Sequence, residues 1–578
     1  MVVGTVQGIH TEFPDSNRTV SLFMINSRHP LNVKPSGNSW LMRDIDPKIL
    51  PRHKQMGDLA VFPDELLMDI LSFVDDEKSL QNLSYTSRIM YAFLYDEEVW
   101  RKLYTKRIVE SGSGGQDIQW RGSWRCTMLH IDNNHQANLQ IPDNLLCSDI
   151  LYRPYQCSNV DYDKVFHKIA QEEEKYYFTS LENPSNVLDK LPRGRIPRVP
   201  EQCMTLEKFN TQWHDKPFIL TNGNKERWPR WDLAALLSRF PNVRFRQEAV
   251  QWPLSLYAQY LNNNKDESPL YLFDCSSVAM KTLREEYKPP QVFREDLFKV
   301  FSGGDDQAVV DGQSAVNCRP DHAWLIVGPK RSGSTFHKDP NYTSAWNTAL
   351  TGRKLWIMLP PDITPPGVGT DDEESEVTSP VGIAEWVISG FFNDCLKIDQ
   401  CQIAITFPGE CMYVPSGWWH SVINLDDSVA LTQNFVPLPK LANALNFFKN
   451  RREQISGFRP KEVKEAMDSL INSTTTENEN IEKLKEYSEK FNSLELRNQN
   501  EDCGEILCSE LPPMPIYELF IELLESNGRG EELEQAKLQL ARMERKVQGP
   551  GKSEVWEKLQ QEKSSGFSFG FDDESDEE

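Results

Sequence analysis

Between positions 62 and 104 the apolar residues fall three and four apart, in three short runs. Leu66, Leu67, Ile70, Leu71 and Val74 share one helical face behind Pro63 and two acids suited to a first turn. Leu80 and Leu83 form the second run, and Ile89, Met90, Phe93 and Leu94, ending at Trp100 and Leu103, the third. This pattern predicts a three-helix unit over 58–104, preceded by an N-terminal extension, 1–57, rich in Asn, Ser and Pro. Residues 105–199 carry turn formers and the cluster "KLPRGRIPRVP", and read as an extended linker region.

From residue 200 the period shortens towards two. "KPFILTNG", "NVRFRQEAV" and "PLYLFDCS" read as strands, with "LSLYAQYLNNN" a helix between them. "IAITF", "CMYVP", "HSVINL" and "VALTQNFV" crowd short strands between Gly and Pro corners over 403–437, which favours a β-sandwich or barrel. Helical spacing returns over 438–548, from "LANALNFFKNRREQ" to "EELEQAKLQLARMERKV". The last segment, 549–578, is expected to be a disordered acidic tail in which Phe567, Phe569 and Phe571 form either a docking peptide or part of a solvating stretch. The chain is thus read as multidomain α+β.

Composition narrows the partners. Sixty-three Lys and Arg stand against 86 Asp and Glu, so a net charge of -23 repels phosphate backbones overall, although basic patches such as "KNRREQ" at 449–454 leave nucleic acid open. Eleven cysteines without a C-x-x-C pair suit reduced thiols in the nucleus or cytoplasm better than a disulfide framework or a zinc site. Nowhere do about eighteen apolar residues run together, so no membrane span is expected.

Candidate chemistry lies in "GSTFHKDPNY". In a strand, His337 and Asp339, two apart, can aim at one point while Lys338 points away. The plainer reading is a loop histidine beside a solvated carboxylate. A third ligand is available in "PSGWWHSVINL", where His420 opens an extended run. Two imidazoles and one carboxylate form the facial set that suits ferrous iron with open positions, and a similar trio serves zinc hydrolysis.

Two resemblances bear on that choice. "FPDELLMDILSFV" through "VWRKLY" resembles an F-box, which implies docking to a Skp-type adaptor of a cullin ubiquitin ligase through Phe62, Pro63, Leu67 and Leu71. "SGSTFHKDPNYTSAWNTALTGRKLWIMLPP" with "PGECMYVPSGWWHSVINLDDSVALTQNF" resembles the jumonji-C (JmjC) family, in particular its branch of bifunctional arginine demethylases and lysyl hydroxylases. That resemblance covers 200–437 and implies a double-stranded β-helix, or cupin barrel, with Fe(II), 2-oxoglutarate and O2 as cofactor and co-substrates.

It further implies His337, Asp339 and His420 as catalytic metal ligands and Lys354 as partner of the distal 2-oxoglutarate carboxylate. Asn347, Tyr271, Thr432 and Ser334, the last where relatives have threonine, would complete the pocket. Trp418 and Trp419 would wall off water, or at least one of them is ordinary core. Lys338 is a surface charge or a group at the substrate mouth, and "DDEESE" at 371–376 a solvated loop that could steer basic substrates. The expected activity is hydroxylation or demethylation of a protein Lys or Arg side chain. The competing reading is a non-catalytic ubiquitin-ligase receptor using the barrel as a binding surface.

Overall fold

Strands buried on both faces need apolar residues at every position, and "KLWIML" at 354–359 meets that demand except at its first residue. This exception governs the site. The computed structural model describes residues 48, 50–302, 317–474, 477–497 and 511–548, apart from 96, 112–118, 132–164, 169, 172–173, 176–193, 249, 265, 267, 372–373, 375–376, 379–381 and 389. Most of the expected N-terminal extension, and all of the acidic tail with Phe567, Phe569 and Phe571, lie outside the described residues. The chain forms two units, one from Met1–Arg294, Asp321–Asp339 and Thr343–Phe435, the other from Glu295–Pro320, Pro340–Tyr342 and Val436–Glu578.

In the first unit, α1 (Arg52–Met56) precedes the F-box helices α2 (Asp64–Ser72), α3 (Glu77–Ser84), α4 (Arg88–Phe93) and α5 (Glu97–Ser111). The expected third helix is therefore two. Asp76 caps α3 by accepting from the Ser79 amide at 2.7 Å, and Ser87 caps α4 by accepting from the Met90 amide at 3.1 Å. The Trp100 indole donates to the Leu94 carbonyl at 2.9 Å, which satisfies a backbone group freed where the chain bends between α4 and α5.

Two expected adaptor contacts are corrected by burial. Leu67 and Leu71 are only 3% and 4% exposed, because they fill the core beneath α2 and cannot meet a partner directly. Phe62 is half-buried and Pro63 exposed. The outward face instead presents Val61 and Phe73, 77% and 82% exposed, with Leu66 and Ile70 between them.

The expectation of an extended linker from 105 is also corrected. Helix α5 continues to Ser111, and a further helix, α6 (Trp124–Met128), inserts Trp124 into an aromatic cluster with Trp120, Trp252, Tyr260 and Tyr104. The Trp120–Trp124 and Trp124–Trp252 centroids lie 5.1 and 5.6 Å apart. Trp252 and Tyr260 belong to the strand Val250–Pro253 and to α7 (Leu254–Asn262), so the F-box core and the barrel core are one continuous hydrophobic cluster. A tryptophan cluster of this kind has a large apolar area to bury, the main favourable term in folding.

The barrel strands are β1 (Arg198–Pro200), β2 (Phe218–Thr221), β3 (Arg244–Gln247), β4 (Val250–Pro253), β5 (Leu272–Asp274), β6 (Ala323–Gly328), β7 (Gly333–His337), β8 (Ser344–Thr351), β9 (Lys354–Leu359), β10 (Gly369–Thr370), β11 (Val377–Thr378), β12 (Gln402–Thr406), β13 (Cys411–Val414), β14 (Trp419–Asn424) and β15 (Ser428–Phe435). They form a nine-stranded sheet in the order β1-β2-β13-β8-β15-β6-β5-β3-β4, a four-stranded sheet in the order β12-β9-β14-β7, and a separate β10-β11 pair. Ile219, Ala345 and Met412 of the large sheet pack against Trp356, Met358 and Val422 of the small one, so these residues mark the inward faces of a cupin sandwich. The alternate residues Leu355, Ile357 and Leu359 point outward and are covered by α8 (Ile383–Ile388) and α9 (Phe391–Cys395).

The second unit is helical, as expected: α10 (Leu441–Asn450), α11 (Pro460–Ser473), α12 (Glu479–Arg497), α13 (Ile516–Ser526) and α14 (Gly530–Gln548). Its core includes residues that precede the barrel's last strands in sequence. Phe298 stacks on Phe448 at 5.6 Å and Phe301 on Phe520 at 5.2 Å. No helix of the described residues is long and apolar enough to cross a membrane.

Candidate active site

His337 ends β7 and His420 lies on β14, and the two are direct cross-strand partners. Their ring centroids are 4.2 Å apart. One residue beyond Lys338, Asp339 completes a cluster in which a potential ligand atom from each of His337, Asp339 and His420 lies within 4.8 Å of the others.

The register that achieves this is irregular. His420 opposes His337, but Val422 opposes Ser334, so a two-residue step on β14 is matched by three on β7. This bulge restores Ser334 to the inward face shared with Val422; regular alternation would turn it outward. Gly333 is required beside it, because a Cβ there would sit 1.9 Å from the Val422 carbonyl oxygen.

Hydrogen bonds aim the imidazoles. His337 Nδ1 lies 2.8 Å from the Thr335 carbonyl and His420 Nδ1 lies 3.1 Å from that of Trp418. A carbonyl can only accept, so each Nδ1 donates its proton there, and Nε2 is the ring nitrogen left for a metal. Burial, and then the neighbouring His337, hold the His420 pKa well below its ordinary value, which leaves this ring neutral. Burial raises the Asp339 carboxyl above its usual range, against the opposing effects of His337 and a hydrogen bond from Asn434. Asp339 Oδ2 is buried and has no hydrogen-bond partner. Two imidazoles fixed through Nδ1 and an unsatisfied carboxylate oxygen fit a divalent cation.

Lys354, the polar exception in β9, is fully buried on the inward face. Its ammonium donates to the Asn424 side-chain carbonyl at 2.8 Å, to the Tyr271 hydroxyl at 2.9 Å and, weakly, to Ser428 at 3.5 Å. All three acceptors are neutral, and among the described residues no carboxylate pairs with Lys354. A buried ammonium without a counter-ion is costly, so the pocket favours an anion. Asn347 faces the same interior, paired across strands with Thr432 and Met412, and its Oδ1 is buried without a partner. Thr432 donates its hydroxyl to the Trp346 carbonyl at 2.9 Å. These positions line one interior, with Ser334 on the inward face of β7.

Of the alternatives for Trp418 and Trp419, the one in which at least one is ordinary core is borne out: Trp419 packs in the outward core, and the ring near His420 is Trp356, at 6.4 Å. Lys338 lies over the outward-packed Trp419 ring at 4.6 Å, donates to the Pro361 carbonyl at 3.0 Å and pairs with Glu374. Glu374 is thereby held and is not a freely solvated acid, while most of the 371–376 run lies outside the described residues. Asn424, Ser428 and Asn434 were missed, although stepping by two from His420 and from Thr432 reaches Asn424 and Asn434 on the same strand faces.

Comparison with known proteins agrees with this geometry. A cupin-like domain matches residues 210–441 and an F-box-like domain residues 59–106. The arginine-specific demethylase JMJ22 of Arabidopsis thaliana is 33% identical over 446 residues, 74% of this chain and 78% of that protein. The bifunctional arginine demethylase and lysyl-hydroxylase psr-1 of Caenorhabditis elegans is 33% identical over 43% of this chain, which spans 63% of its length. The 2-oxoglutarate and iron-dependent oxygenase JMJD4 of Danio rerio is 25% identical over 48% of this chain and 63% of its own. With the inward His-Asp-His cluster, the buried lysine and a relative matched over most of both chains, this protein belongs to the jumonji-C family of cupin-like proteins.

Proposed function

We propose that this chain is an Fe(II)- and 2-oxoglutarate-dependent oxygenase that hydroxylates or demethylates an arginine or lysine side chain of a protein, and that its F-box docks it to a Skp-type adaptor of a cullin ubiquitin ligase. The observation that carries the enzymatic reading is the joint presence of the two poised imidazoles, the partnerless Asp339 oxygen and the buried Lys354, without a carboxylate partner among the described residues, in one barrel interior. The names of the relatives support the reaction class, and those of JMJ22 and psr-1 support arginine or lysine as the target.

In this reading His337, Asp339 and His420 hold the metal, and a three-residue donor set leaves positions for co-substrate and dioxygen. When bound, the metal and 2-oxoglutarate supply oxidation of a substrate C–H bond coupled to release of succinate and carbon dioxide. Lys354 anchors the distal carboxylate of the co-substrate. Tyr271 holds the Lys354 ammonium from one side, and Asn347 offers its unsatisfied oxygen to a donor in the pocket. Trp356 and Val422, packed beside His420, limit water at the reacting end.

The test is succinate release by purified full-length protein with iron, ascorbate and a methylated-arginine or lysine peptide pool. Wild type should turn over and Asp339→Ala should not; equal release from both would defeat the assignment. Adaptor docking is supported by the exposed face of Val61, Leu66, Ile70 and Phe73 and is compatible with catalysis in the barrel. Indifference of both adaptor capture and substrate turnover to a Phe73→Asp change would remove the F-box from the proposal.

A further inference from the structure

The sequence resemblance marks Lys354 but says nothing of what sets the direction of its ammonium. An ammonium on a flexible four-carbon stem has three donors and no preferred geometry of its own, so its acceptors decide where the remaining donor points. Asn424 is the nearest of these acceptors, at 2.8 Å, and is the cross-strand partner of Lys354 between β14 and β9.

The orientation of the Asn424 amide follows from its own partners. The Ser332 hydroxyl gives its single proton to the Pro329 carbonyl. Its oxygen can then only accept, and it accepts from Asn424 Nδ2 at 2.9 Å. That leaves Oδ1, and not the amide nitrogen, facing Lys354.

The backbone fastens the same arrangement. The Asn424 amide donates to the Ser332 carbonyl at 2.8 Å, and the Arg331 amide donates to the Asn424 carbonyl at 2.8 Å. Gly328 lets the parts converge, since a Cβ there would lie 2.4 Å from Ser332 Oγ and 2.5 Å from the Tyr271 ring. The turn between β6 and β7 thus holds the nearest Lys354 acceptor in place, and Gly328 leaves room for the Tyr271 ring beside it, while Ser428, at 3.5 Å, holds the third donor only weakly.

We propose that Asn424, oriented by Ser332, is the positioning residue that directs the Lys354 ammonium, and that its being an amide and not a carboxylate is what makes the pocket select a 2-oxo acid with a second, distal carboxylate. The inference rests on the co-substrate reading above and names the determinant of that selectivity. A carboxylate at 424 would lie at the distance of the present hydrogen bond, neutralise Lys354 from within and compete with the incoming anion.

The experiment uses the full chain loaded with redox-inert Mn(II) and titrated with 2-oxoglutarate and, separately, with 2-oxopentanoate, which has the same carbon chain without the distal carboxylate. Wild type should bind 2-oxoglutarate far more tightly. Asn424→Asp should weaken 2-oxoglutarate roughly 10- to 100-fold while 2-oxopentanoate and Mn(II) binding stay within about twofold, so the preference collapses. Ser332→Ala, which frees the amide to turn, should give a smaller loss of the same selective kind. An Asn424→Asp protein that keeps the wild-type preference overturns the proposal, and so does one that loses Mn(II) in parallel, because a merely structural residue would do that. Wild type that binds neither acid sinks the co-substrate reading as well, whereas an intact wild-type preference with unchanged variants sinks the Asn424 assignment alone.

Discussion

The indole N–H of Trp124 donates to the Asp266 carboxylate at 2.8 Å, joining the helix that follows the F-box to the segment that follows α7 of the barrel. Glu97 is close by, accepting from the Trp124 and Arg125 amides at 2.6 and 3.1 Å and so capping α6. Burial, reinforced by Asp266, pushes the Glu97 pKa up to about 7. The joint between the two modules therefore contains two buried acids that repel each other when both are ionised.

A pH dependence follows. Between the ordinary glutamate value near 4.5 and about 7, the folded chain holds a proton at Glu97 that the unfolded chain has lost. Its contribution is complete at low pH and disappears as pH rises through about 7, for a change on the order of 3 kcal/mol. Glu97→Gln keeps an acceptor for the two amides without the charge. In tryptophan-fluorescence unfolding it should match wild type near pH 5 and exceed it at pH 8; a variant equally or less stable at pH 8 would contradict the raised pKa.

Asp339 should show the opposite demands of stability and function. Its Oδ2 is buried without a donor, and burial raises its pKa, so the metal-free protein is destabilised by this carboxylate as pH rises. Asp339→Asn should raise the metal-free melting temperature at pH 8, by about 1–2 kcal/mol of stability, and abolish the further increase that Mn(II) gives wild type. Differential scanning fluorimetry with and without Mn(II) reads both effects, and a variant still stabilised by the metal would exclude Asp339 as a ligand.

At the F-box, burial separates recognition from folding. Phe73→Asp alters an exposed ring and should remove adaptor capture with little change in melting temperature. Leu71→Ala instead opens a cavity under α2 and should cost about 2–4 kcal/mol. Adaptor pull-down beside thermal unfolding distinguishes them; capture that survives Phe73→Asp would move the partner surface elsewhere.

What the sequence disclosed, and what it hid, divides along physical lines. Helical runs such as 441–450 and 516–526 were legible because their period is set locally. The metal trio was legible because two ligands share a triplet and the third opens a strand. Leu67 and Leu71 were misassigned because, on a helix with apolar residues at adjacent positions, spacing alone does not say which face is inside. Trp124 and Asp266 were missed because their pairing spans 142 positions and no local period carries it. Asn424 was within reach of a two-residue step from His420, but an asparagine in a strand signals nothing until a buried ammonium is found opposite it.

The β7 bulge supplies the last prediction. His337 meets His420 only because Gly333 lets β7 approach the Val422 carbonyl, where a Cβ would stand 1.9 Å away from the oxygen and 2.9 Å from Ile383. The backbone oxygen cannot rotate aside as a side chain could, so Gly333→Ala must displace β7 from β14. Displacement at Gly333 propagates along a strand of five residues to His337 at its far end. Gly333→Ala should therefore lose at least about tenfold in Mn(II) affinity, since a misplaced ligand weakens a metal site even where the chain still folds. Far-ultraviolet circular dichroism taken with the Mn(II) titration separates local displacement from unfolding. A folded Gly333→Ala protein with wild-type Mn(II) affinity would show that the bulge does not set the spacing of the two imidazoles.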